Sequence, residues 1–253
     1  MSYLISELKS KDLFSGHSQI YAAFRPTYPE ALYDFIFSFC KEKQNTWDCA
    51  TGNGQIAKRL ANTFESVIAT DISEQQLANA PELPNVKYLI SSAEETLLPD
   101  NSFDLITVGQ ALHWFQTDRF FREVQRVVRT GGVFAAWGYA HLQINSDVDA
   151  IVTDYYNNVV DQYWDPARRL VESRYSTISF PFKLIETPDF FIETEWTARH
   201  LLGYLESWSA TQAYIKAQHR NPVSELGQRI APLWPEEKTL PVSFPIFLKM
   251  GLL

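Results

Sequence analysis

The sequence predicts an α/β protein, a mostly parallel sheet with a helical cover inserted in its C-terminal half. Three observations lead there. From Asn45 to about Trp137 short β-like runs alternate with helix-like runs; beyond Trp137 this gives way to Tyr- and Trp-rich helical patterns; and the chain closes on the apolar run LPVSFPIFLKMGLL. Strands separated by helical stretches imply βαβ units with right-handed crossovers, hence a Rossmann-like core.

The elements follow in order. Pro26 and Pro29 hold YAAFRPTYP extended ahead of a helix. TWDCA, SVIATDI, VKYLIS and FDLITVG read as strands, with GQIAKRLANTF and EQQLANA as the helices between the first three. A helix over Asp118 to Arg129 sets Phe120, Phe121, Val124, Val127 and Val128 on one face, with Thr117 as its N-cap and GGVFAAWG as the fifth strand. Residues 148–175 read as one or two helices, Phe180 to Trp196 as extended segments broken at Pro188, and residues 197–234 as helix again. The expected organisation is a single domain over 1–253: an N-terminal lid or helix at 1–40, a cofactor-binding core at 45–137, and a substrate cover from 141–178 and 197–234. Such a cover would lie over the C-terminal strand ends, where α/β sheets hold their ligands.

Composition narrows the partners. Hydrophobic residues make up 45% and charged residues 21%, ordinary usage for a folded protein of 253 residues, while the 14% aromatics suggest a core plus an apolar pocket. A net charge of -8 without a basic run disfavours a nucleic-acid backbone and points to a small molecule. Cys40 and Cys49, the only cysteines, offer neither a disulfide framework nor metal-ligand spacing, so no metal is expected and a reducing cytoplasm fits. The first residues contain no apolar signal core, and no run of 18 apolar residues occurs, which disfavours secretion and membrane insertion.

The turn in TWDCATGNGQIAKRL carries the chemistry. Gly52, Gly54 and Ala57 satisfy the relaxed dinucleotide spacing, and Asp71 follows Gly52 by 19 residues at the end of the second strand, which alone would support a nicotinamide dinucleotide. Asp48 separates the readings. It ends the first strand, where a pyrophosphate would lie, and two like charges about 5 Å apart repel by roughly 3 kcal/mol at an effective dielectric near 20. S-adenosylmethionine has no phosphate, and its ammonium and sulfonium welcome an acid while its carboxylate can face the helix N-terminus near Gln55. Asp71 suits either ligand, because it reads ribose hydroxyls.

These residues resemble class I S-adenosylmethionine-dependent methyltransferases. WDCATGNG is similar to their first motif, usually D-x-G-x-G-x-G, with Ala50 at the first glycine; alanine is tolerated there if its φ is negative. ATDIS matches the second motif, with Asp71 as the expected ribose ligand. SSAEETLLPDNSFDLITVGQALHWF matches the third region, but Ser91 and Ser92 replace the usual Gly-Asp pair, leaving Ser92 and the Ala93 backbone to address the adenine. YAAFRPTYPEALYDFI, AAWGYA, YWDPAR and ESWSATQAY resemble pieces of the small-molecule group that includes the trans-aconitate methyltransferases. The resemblance implies a Rossmann-like class I sheet with an antiparallel last strand. It also implies a cofactor site of Asp48, Ala50, Thr51, Gly52, Gly54, Asp71, Ile72, Ser92, Ala93, Glu94 and Gln110, with Tyr21 and Arg25 closing over it.

The remaining residues concern the acceptor. A carboxylate acceptor, as the trans-aconitate resemblance implies, is already ionised and needs no base; a hydroxyl or amine must lose a proton. His113, just after the fourth strand, is the best-placed base, and Trp114 and Tyr139 are candidate walls of the pocket. Arg168, Arg169, Arg174, Arg199 and His200 lie in the expected cover, where an inward-facing cation could hold an anion. The rival readings are a NAD-dependent oxidoreductase and a non-catalytic relative that keeps the cofactor.

Overall fold

A computed structural model of the chain describes residues 26–253. Tyr21 and Arg25 lie outside the described residues. The elements are α1 (Glu30–Ser38), β1 (Asn45–Cys49), α2 (Gln55–Leu60), β2 (Ser66–Asp71), α3 (Glu74–Leu77), β3 (Val86–Ile90), β4 (Phe103–Gly109), α4 (Thr117–Val127) and β5 (Val128–Tyr139). They continue with α5 (Ser146–Asp154), α6 (Arg168–Glu172), β6 (Phe190–Thr197), α7 (Ala198–Glu206), α8 (Ser209–Gln218), α9 (Val223–Ile230) and β7 (Thr239–Leu252).

Seven strands form one sheet in the order β3-β2-β1-β4-β5-β7-β6. β1 to β5 pair in parallel, whereas β7 runs antiparallel to both β5 and β6. This is the expected Rossmann-like sheet with one reversed strand. The order turns back on itself at β1 and β4, so the crevice for a ligand opens outside the carboxyl ends of those two strands.

Two apolar clusters sandwich the sheet. One packs α1, α2 and the helices of the C-terminal half against Val67, Ala69, Leu105, Val133 and Trp137; the other packs α4 and α6 against Trp47, Ile106, Val108 and Phe134. α4 shows why sequence and fold agree: Phe120, Phe121, Val124 and Val127 recur at helical spacing and all point inward. Burying each such side chain is worth roughly 1.5–3 kcal/mol.

The ends of α4 differ from expectation. Gln116, not Thr117, occupies the cap position, and no side chain caps it; its own N–H donates to Glu94 Oε1 at 2.9 Å. At the other end Val128 and Arg129 are already strand, because Val128 pairs with Phe103. Tertiary pairing there overrides the helical period.

Candidate functional site

The chain leaves β1 through a turn with three left-handed residues, Ala50 (φ 54°), Gly52 (φ 57°) and Gly54 (φ 79°). The expectation for Ala50 therefore needs correcting: its φ is positive, and a Cβ in that region costs about 1–2 kcal/mol. The turn keeps this shape because Thr51 N–H donates to Thr70 O at 2.9 Å, tying it to β2. At Gly54 a Cβ would sit 2.8 Å from Tyr88 Oη and 3.1 Å from Ala80 Cβ, so a side chain would force its neighbours to move; at Gly52 it would be in ordinary contact with Gln76 Oε1 at 3.9 Å.

Asp71 closes the turn from β2. Its Oδ2 accepts from Gly52 N–H and its Oδ1 from Ser73 N–H, both at 2.9 Å, which locks the two strand ends together beside the crevice. Asp48 is set back, 0% exposed. Thr51 Oγ1 donates to its Oδ2 at 2.5 Å and Thr107 Oγ1 to its Oδ1 at 2.8 Å. Burial raises the carboxyl to about 7, against the pull of these hydroxyls and the Ala57 amide. Asp48 thus braces β1 to β4 from beneath the turn.

Beyond β3, Ser92 Oγ donates to Glu94 Oε2 at 2.5 Å and accepts from Glu94 N–H at 3.1 Å, next to buried Ala93. Ile72, half-buried, follows Asp71 on the same rim. At the end of β4, Gln110 adopts φ 54° and its N–H donates to Trp137 O at 2.8 Å. Its Oε1 is buried without a partner, as is Tyr88 Oη beside Gly54. A left-handed turn with glycines at 52 and 54 and a carboxylate at the β2 end fit a polar nucleoside ligand.

A second set of groups gathers past the ends of β4 and β5. His113 rides on the short 3-10 turn Leu112–Trp114, with Trp114 stacked at 4.6 Å between ring centres. Its Nδ1 lies 3.1 Å from Tyr175 Oη. Burial, with Arg168 adding, pushes the imidazole down to about 3. Arg168 lies over the Trp164 ring at 4.9 Å and the Tyr156 ring at 6.0 Å, and donates to Tyr156 Oη at 3.4 Å. His141 sits edge-on to Tyr156 at 4.2 Å, and burial followed by Arg168 lowers its pKa too. Glu172 accepts from Tyr156 Oη and pairs with Arg169 at 3.0 Å. Among the described residues no carboxylate stands within ion-pair distance of Arg168.

The other expected cations turn outward. Arg169 pairs with Glu172 and Asp161, Arg199 pairs with Glu236 at 2.8 Å, Arg174 is exposed, and His200 stacks on Trp196 at 4.4 Å. Tyr139 is buried between Tyr28 and Phe244, in the same apolar cluster as Tyr156. Sequence reasoning missed Tyr175, Tyr156, His141 and Glu172. The aromatic density of residues 148–175 was a signal, but not which rings face inward. A cavity of about 460 Å³ lined by Gln125, Arg129, Thr130 and Phe182 lies at the opposite end of β5, remote from both groups. No described helix is long and apolar enough to cross a membrane.

Sheet order and strand directions together define a Rossmann-like protein with one reversed strand. Residues 47–136 match the family model described as a methyltransferase domain. A Dictyostelium discoideum protein named a methyltransferase is 35% identical over 248 residues, covering 95% of this chain and 94% of its own. A structure described as a type II methyltransferase, from Anaeromyxobacter dehalogenans, is 38% identical with a TM-score of 0.84, over 90% of this chain and 98% of its own. A Saccharomyces cerevisiae protein described as an S-adenosylmethionine-dependent methyltransferase is 30% identical over 139 residues, 51% of this chain and 47% of its own. The chain belongs to the S-adenosylmethionine-dependent methyltransferase family. Of the two cofactors that the glycine turn left open, S-adenosylmethionine is therefore the one it uses.

Proposed function

We propose that this methyltransferase acts on a small organic acid and places the methyl group on a carboxylate oxygen. The observation that carries the reading is Arg168, turned inward over Trp164 and Tyr156 with its neighbouring carboxylate, Glu172, already committed to Arg169 and Tyr156. A guanidinium held this way offers paired N–H donors to an incoming carboxylate. Trp164 Nε1, buried without a partner, supplies a further donor beside it.

In this reading Asp71 takes the ribose hydroxyls, and the backbone of the Ala50–Gly54 turn together with Thr51 holds the methionine end. Ile72, Ser92, Ala93 and Glu94 border the adenine, while Gln110 offers Oε1 to the ammonium. The sulfonium cofactor supplies an activated methyl group whose transfer is downhill. The chain's own task is to align the acceptor in line with that group and to exclude water. Arg168 orients the carboxylate, and Trp114, Trp164 and Tyr156 wall it off. As the O–CH3 bond forms the S–CH3 bond breaks; the negative charge of the acceptor and the positive charge of the sulfonium vanish together. The products are a methyl ester and S-adenosylhomocysteine, and no proton has to be removed.

The test is transfer of labelled methyl groups to a panel of small mono-, di- and tricarboxylic acids, trans-aconitate among them, beside alcohols and amines of similar size. Base-labile label on the acids is expected. Label found only on alcohols or amines would overturn the proposal.

A further inference from the structure

The His113 and Tyr175 pair says more than that an acceptor binds nearby. Tyr175 is 1% exposed and follows Arg174 in left-handed backbone, with φ of 56° and 52°. Two consecutive non-glycine residues in that region are strained and persist only where the surroundings over-determine them. Here Tyr175 N–H donates to Leu170 O at 2.8 Å across a wide turn, and its ring meets Phe247 edge-on at 5.0 Å. The contorted backbone delivers the phenol beneath the Leu112–Trp114 turn, 3.1 Å from His113 Nδ1.

Which atom donates follows from what else surrounds the phenol oxygen. Burial raises the Tyr175 phenol well above its ordinary range, and the backbone N–H groups of His113 and Leu112, with the Arg168 charge, act on it in the opposite direction. Among the described residues the hydrogen-bond partner of that oxygen is His113 Nδ1. Were Nδ1 a donor, the buried phenol hydrogen would have no acceptor among the described residues. The phenol therefore donates to Nδ1, and the ring proton resides on Nε2.

From this geometry, and resting on the carboxylate reading above, we infer that Tyr175 is a positioning residue that fixes His113 as its Nε2–H tautomer. His113 then gives a hydrogen bond to an acceptor oxygen that arrives ionised, and it removes no proton. The groups facing this pair are Arg168 from α6, Trp114 on the same turn, and the Tyr156, Glu172 and His141 set behind Arg168. Burial, and after it the Arg168 guanidinium, keep the ring neutral.

The experiment is heteronuclear NMR of the full-length, histidine-15N-labelled protein saturated with S-adenosylhomocysteine, with His113→Gln used to assign the His113 signals. Nδ1 is expected to resonate as a bare acceptor and Nε2 as an N–H, without change from pH 5.5 to 8.5. Tyr175→Phe is expected to convert His113 alone to a mixture of tautomers. A proton on Nδ1, or a His113 titration within that range, would overturn the inference. The second measurement is turnover of whichever panel acid takes a methyl group. Glutamine places an N–H near the Nε2 position without basicity, so His113→Gln should lose at most about tenfold in kcat where His113→Leu loses about 100-fold; a base would make both variants lose 100-fold or more. If no acid is methylated the carboxylate reading fails, while the NMR result still decides the tautomer.

Discussion

The turn that closes β1 and the group around Arg168 lie side by side on one rim of the sheet, yet they are built in opposite ways. The first takes its shape from backbone: Ala50, Gly52 and Gly54 in left-handed conformation, latched by a carboxylate from the neighbouring strand end. The second is made of side chains, with His113, His141, Tyr156, Arg168 and Tyr175 delivered from separate segments by packing. A site of the first kind fails when a single backbone angle is denied. One of the second kind fails when a contact remote in sequence is lost.

The sharpest way to probe the backbone-built side is through Asp48, the buried brace beneath it. Its folded-state carboxyl stands at about 7 against an ordinary 3.8, chiefly through burial. Folding thus favours the protonated form, so the contribution of Asp48 to stability is complete below about pH 4 and is lost as the pH rises through about 7. The shift corresponds to about 4 kcal/mol. Urea unfolding of the wild type and Asp48→Asn at pH 4 and pH 8 should show the wild type losing that much relative to the variant; a constant difference would show that the carboxylate is not penalised in the fold.

Asp71→Ala comes next. It removes the acceptor that the proposed site offers the ribose and releases the Gly52 and Ser73 amides, and charge-assisted bonds of this kind make the expected loss in S-adenosylhomocysteine affinity about 100-fold by calorimetry. An unchanged affinity would move the nucleoside elsewhere. On the side-chain-built side, Arg168→Gln should raise the KM of a carboxylate acceptor about tenfold and leave S-adenosylhomocysteine affinity within about twofold. A parallel loss in both would mean that the two sites are not separable.

The same contrast explains what could be read in the sequence. The parallel core was legible because Phe120, Phe121, Val124 and Val127 repeat with a helical period and the intervening runs do not, and the acid at Asp71 was legible because strand ends fall at fixed distances from their turns. Arg168 was visible as a cover cation, but nothing local separates it from Arg169, one residue away and turned to Glu172. Tyr175 gave no sign at all. Its left-handed backbone has no sequence marker when the residue is neither glycine nor asparagine, and its partner lies 62 residues upstream.

Ala50 is the smallest test and bears on the backbone-built side alone. Where a glycine is replaced by alanine at negative φ, alanine stabilises by about 0.4–1 kcal/mol, because it restricts the unfolded chain. At the φ of 54° found here the sign reverses, since the Cβ meets the following carbonyl oxygen. Ala50→Gly should therefore stabilise the protein by about 1 kcal/mol, a rise in Tm of roughly 2–4 °C for a domain of this size. A fall in Tm would place Ala50 at negative φ and would mean that the turn is not the three-residue left-handed path described above. Because the substitution adds no contact and removes only one methyl group, its sign reports the backbone conformation and little else.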